Sequence, residues 1–121
     1  MNETENVALF AATLLHSATN THFFHWATNS YSQHKALGKY YDEIVGLVAD
    51  YVEAYMGCYE QIKTFPSVYH QPKDALNYLD SLKKFVAEAN QDLPKEQELV
   101  NIVAEIQQLI DSTIYKLKYL K

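Results

Sequence analysis

Four runs of apolar residues, each recurring every three or four positions and each closed by turn formers, constrain this 121-residue chain more than any other feature. Val7, Phe10, Ala11, Leu14, Leu15 and Ala18 share one helical face and predict a first helix over about 5–28. Asn29-Ser30 breaks it. Ser30 with Gln33 three residues on is a capping-box pattern that opens a second helix over about 31–60. Its stripe is Leu37, Tyr41, Ile44, Val45, Val48, Val52 and Tyr55. Thr64-Phe65-Pro66-Ser67 and His70-Gln71-Pro72 read as a closing loop, with Pro72 suited to the first turn of a third helix over about 72–90. Leu76, Leu79, Leu82, Phe85, Val86 and Ala89 give that helix its apolar face. Asn90 to Pro94 turns the chain into a fourth helix over about 94–119, built on Leu99, Ile102, Val103, Ile106, Leu109, Ile110, Ile114, Leu117 and Leu120. The connections read as short, so sequential helices should lie antiparallel. The expected fold is all-α, an up-down-up-down four-helix bundle occupying residues 1–121 as a single domain.

Charge narrows the choice of partners. Ten Lys, fifteen acidic residues and no Arg leave a net charge of −5. The bidentate guanidinium contacts that phosphates and guanines favour are therefore missing, and nucleic acid is a poor partner on these grounds. No stretch reaches the roughly 20 uninterrupted apolar residues of a membrane span. Cys58 is the only cysteine, so no internal disulfide forms, and nothing near Met1 has the pattern of a cleaved leader. A reducing cytoplasm is the expected compartment.

The residues able to carry chemistry lie on the first two helices. Continuing the stripe Val7, Ala11, Leu14, Ala18 by its own spacing reaches His22 and His25, and running the second stripe backwards from Tyr41 and Leu37 reaches His34. Three histidines are thus expected to face inward near the hairpin between the helices, where an imidazole needs a hydrogen-bond partner or a metal. A second face of helix two carries Gly38, Asp42, Gly46, Ala49, Glu53 and Gly57. Glycine inside a helix costs roughly 0.5–1 kcal/mol against alanine, so a close helix approach is expected there. Carboxylates joined to imidazoles inside a bundle are the donor set of di-iron and di-manganese proteins, although no complete Glu-x-x-His pair is present.

The ordered set His25-Trp26, His34, Tyr41-Asp42-Glu43 and Asp50-Tyr51-Val52-Glu53 to Gly57 resembles the helix A–helix B signature of Dps-type mini-ferritins. It is closer still to the small Dps-like proteins that many tailed bacteriophages encode. The resemblance covers about 35 residues of the 121. It implies a ferritin-like bundle, a homo-oligomer, and an iron or other divalent-metal site in which His25, His34 and Glu53 match three ligands. The family's aspartate falls on Ala49, which leaves Asp50 or Asp42 to substitute, and His22 is a further candidate. It also implies a site shared between subunits, with histidines from one and carboxylates from the other, oxidising Fe(II) as a ferroxidase. Tyr41 and Tyr55 would then be nearby electron donors. The basic tail that lets some Dps proteins coat DNA has no counterpart here.

Blander readings of the same residues stand beside these. His25, His34 and Glu53 fit a metal-free hydrogen-bond network that fixes the hairpin, and His22 alone fits a satisfied core histidine. Trp26 reads as core or dimer filler, Cys58 as a bystander, and His70 as a loop residue without a role. The alternative functions are a non-catalytic accessory protein of a phage that binds a host protein or small molecule through a helical surface or dimer groove, and a purely structural dimer or cage component that keeps the ferritin-like bundle without the chemistry.

Overall fold

A computed structural model describes residues 1–121 as four α-helices and one short 3-10 turn, with no strand. Helix α1 spans Glu3–Ala27, α2 Tyr31–Cys58, α3 Ala75–Ala89 and α4 Gln97–Tyr119, with the turn at Asn90–Asp92. None of them is long and apolar enough to cross a membrane. Local chemistry sets the ends. Asn2 caps α1 in a reciprocal capping box with Glu5, which starts that helix two residues earlier than the apolar pattern indicates. Ser30 caps α2 through the amide of Gln33, as expected. Asp74, not Pro72, opens α3, because its carboxylate accepts from the Asn77 amide and so satisfies one of the helix's free donors. Pro94 is buried in the turn before α4 instead of beginning it.

Side-chain pairings give the direction of each helix. Along α1 and α2, Thr4 meets Tyr55, Ser17 meets Tyr40, and His25 meets His34, so the two run antiparallel. Lys83 of α3 pairs with Asp111 of α4 at 3.1 Å, and a short turn joins the two helices; they are antiparallel. Phe10 stacks on Phe85 and Phe24 packs against Tyr78, so α1 and α3 are antiparallel too. Helix α3 therefore points the same way as α2, which departs from the expected alternation. The reason is the connection between them. Residues 59–74 do not turn back at the end of α2; they climb the bundle, placing Tyr69 against His16 and the His70 carbonyl on Asn20.

The core is one cluster drawn from all four helices, with Phe10, Leu14, Leu37, Ile44, Leu79, Leu99 and Ile106 at its centre. Tyr40, Tyr51 and Tyr55 are its largest fully buried side chains. The sequence pattern placed Tyr41 and Val45 on the α2 core stripe; the buried positions are Tyr40 and Tyr51 instead, and Val45 is exposed. Leu15 of α1 is likewise exposed.

Candidate metal centre at the helical hairpin

Helix α1 ends at Ala27 and α2 begins at Tyr31, so the last turn of one lies beside the first turn of the other. There His25 and His34 form a reciprocal pair. The Nδ1 of His25 lies 2.5 Å from the carbonyl oxygen of His34, and the Nδ1 of His34 lies 2.8 Å from the carbonyl oxygen of His25. A carbonyl can only accept, so each Nδ1 carries a proton, which leaves Nε2 as the nitrogen able to offer a lone pair. The two rings stack at 3.6 Å between centroids with 18° between planes. Gly38 makes room for this arrangement: a Cβ there would sit 3.1 Å from Cε1 of His25.

His22 occupies a different environment. Its ring lies flat on Tyr41 at 4.0 Å and 10°, with Trp26 at 4.1 Å on another side. The expectation that all three histidines face the core needs correction, because each is half-buried. The buried stripe of α1 continues Phe10, Leu14, Ser17, Thr21, which turns His22 and His25 to the flank facing α2. Trp26, expected as filler, is 65% exposed in the single chain.

The carboxylates do not join the histidines within one chain. Asp42 borders the same open groove as His25 and His34, together with Lys35, Lys39 and Lys116. Asp50 lies on the α4 side, in a groove with Glu105 and Gln108. Glu53 is nineteen residues beyond His34 on one continuous helix, roughly 28 Å away along its axis. No group of three His, Cys, Asp or Glu side chains comes together at metal-holding range. The stacked rings add a restriction of their own. A metal binds in the plane of an imidazole, and two nearly parallel planes do not converge on one ion, so this rotamer pair offers one Nε2 per ion. The glycine face also differs from expectation. A Cβ at Gly46 or Gly57 would meet nothing, and the close approach occurs only at Gly38, to an imidazole.

One residue with site character escaped the sequence reading. Asn20 is 2% exposed on the α1 core stripe and ties the crossover to α3 through its amide. The signal for it was available: Ser17, Asn20 and Thr21 continue the apolar spacing with polar residues.

The fold and site define a class: an all-α protein of four helices whose first hairpin is locked by a reciprocal histidine pair. The chain belongs to a family of unknown function, DUF5856, whose model matches residues 25–117, beginning at His25 itself. No curated protein and no solved structure matches it.

Proposed function

We propose that the chain is a ferritin-like, Dps-like metal-binding protein, with iron as its first candidate cargo, and that each chain supplies a half-site completed by a second copy. One observation carries the reading: both hairpin imidazoles spend Nδ1–H on a backbone carbonyl and leave Nε2 free. That is the arrangement by which outer partners fix metal-ligating histidines. The single long crossover at residues 59–74 supports it at the level of fold, because ferritin-like bundles use one such connection. Three lysines border the histidine groove against one Asp42, so an incoming cation needs carboxylates from outside the chain. A two-fold pairing of α1–α2 outer faces would bring Glu53 of one copy towards His25 and His34 of the other, while Asp50 stays on the α4 side. It would also cover Leu15, Phe23, Trp26 and Val45, all exposed in the single chain.

Metal content by elemental analysis after anaerobic Fe(II) loading tests this, with His34→Ala and Glu53→Gln beside the wild type. Each variant alone should lose the metal. Co-assembled in equal amounts, the two should recover about a quarter of the wild-type content, because half of the dimers are then mixed and one of the two sites in each is intact. A site within one chain would recover nothing on mixing. Wild-type protein that holds no metal after loading overturns the reading. The metal-free alternative, an interaction protein, is favoured by the exposed aromatics Trp26 and Tyr31 beside a hairpin that the histidine pair already closes. Under that alternative, replacing either aromatic abolishes capture of a partner while metal loading changes nothing.

A further inference from the structure

The acidic residues of this chain are unevenly placed. Residues 6–41 and 112–121 hold none of the fifteen, yet they carry Lys35, Lys39, Lys116, Lys118 and Lys121, half of the ten lysines. The fold brings these two stretches together. Helices α2 and α4 pack against each other, and Lys35, Lys39 and Lys116 border one open groove of about 800 Å³ at the hairpin end. A chain of net charge −5 thus presents a positive recess there. The single acidic residue on its rim is Asp42. Lys39 stands 3.9 Å from Glu43, one helical turn away, and no carboxylate comes within 4 Å of Lys35 or Lys116. Lys116 is also half-buried, so it has given up part of its hydration without gaining a counter-charge.

Like charges gathered along a concave wall focus their field and raise the local concentration of counter-ions, here anions. The number and spacing of the charges set the kind of anion. Lys35 and Lys39 lie four residues apart, about 6 Å along the α2 axis, and Lys116 borders the groove from α4, whose axis stands roughly 8–10 Å away as for packed helices. A monovalent anion neutralises one of the three ammonium groups. An anion with several charged groups over a comparable span answers all three at once. We infer that this groove binds a small multivalent oxyanion, a tricarboxylate or an oligophosphate, with Lys35, Lys39 and Lys116 as its positive contacts. Asp42 opposes it from the rim. The volume lies within the range of small-molecule sites. His25 and His34 border the same groove, but the inference does not rest on the metal reading, because it uses the lysines and not the Nε2 atoms.

The test is an NMR titration of the ¹⁵N-labelled chain, stripped of metal on a chelating resin, with citrate and with tripolyphosphate. Acetate at matched ionic strength is the monovalent control. Saturable shifts should appear at the backbone amides of Lys35, Lys39 and Lys116 with at least one polyanion, and the tighter of the two identifies the carboxylate or the phosphate source. Lys116→Gln should weaken that polyanion about fivefold, the effect of one charge at close range in water. Asp42→Asn, at an exposed position, should strengthen it by a similar factor, the opposite of its effect on a metal that uses Asp42. Lys84→Gln, exposed on α3 and outside the groove, should leave binding unchanged. Absence of saturable shifts with both polyanions overturns the inference. So does acetate binding as tightly, Lys116→Gln binding no more weakly than Lys84→Gln, or weaker binding by Asp42→Asn. Because the titrated protein carries no metal, a chain that binds the polyanion yet holds no iron after loading refutes the metal reading alone, and the converse result refutes this inference alone.

Discussion

Gly38 decides whether the His25 ring can lie where it does. The ring is held between the His34 ring at 3.6 Å and the α2 backbone, where a Cβ on Gly38 would stand 3.1 Å from Cε1 and 3.2 Å from Nδ1. In an open helical position alanine gains roughly 0.5–1 kcal/mol over glycine, and Gly46 is such a position. Gly46→Ala should therefore raise the urea midpoint of the isolated chain. Gly38→Ala should give no such gain and should shift the His25 ring resonances, because the ring can retreat only by breaking its carbonyl bond or the stack. Equal stabilisation by both substitutions would mean that the histidine pair is not held as described. The sequence made His25 and His34 legible through the extrapolated stripes. It did not reveal that they bond to each other's backbone, since that depends on how closely two helix ends approach. His22 was misjudged by the same extrapolation, because a small drift in the stripe moves a residue from the core to its flank.

At the scale of elements, the helices were legible and one connection was not. Apolar spacing and Ser30 located α1 and α2 to within a few residues, and α4 from its long stripe. Residues 64–72 read as a closing loop because they hold prolines and turn formers and no periodic pattern, whereas the connection runs over 59–74. Its length carried the missing information. Sixteen extended residues reach at most about 53–58 Å, more than the roughly 42 Å of α2, so the segment can return along the whole bundle. Ile62, buried in the core, and the Tyr69 ring against His16 hold it down, and at its far end Asn20 serves the His70 carbonyl and the Tyr78 hydroxyl together. Asn20→Ala should cost about 1–3 kcal/mol in urea unfolding, the penalty of leaving both groups short of a donor. It should also speed proteolytic cleavage within 63–69, an exposed stretch, before any cut in the helices. Asp74→Ala removes only the α3 cap and should cost about 1 kcal/mol without hastening that cleavage.

Across the whole molecule, ten tyrosines in 121 residues pointed to amphipathic boundaries, yet three of them fill the centre of the core. Side-chain count cannot separate these roles, because a tyrosine is placed by the register of its helix; Tyr51 fills the core although its hydroxyl has no partner. Tyr40 is fully buried with its hydroxyl on Ser17, and burial raises its pKa above the ordinary tyrosine value. Burial likewise raises Tyr51, with the charge of Glu3 adding to it, and Tyr78. Below about pH 10 both the folded and the unfolded chains keep these protons, so the groups add no slope to the stability. Above it the unfolded chain releases protons that the folded chain retains, and the balance tips towards unfolding. Stability should fall steadily as pH rises above about 10, followed by the urea midpoint in far-UV circular dichroism. Tyr40→Phe should flatten that fall while changing the neutral-pH midpoint little, because Ser17 still donates to the Leu14 carbonyl. An alkaline slope identical in the variant would mean that the Tyr40 hydroxyl already exchanges its proton in the folded state and that the core around it opens.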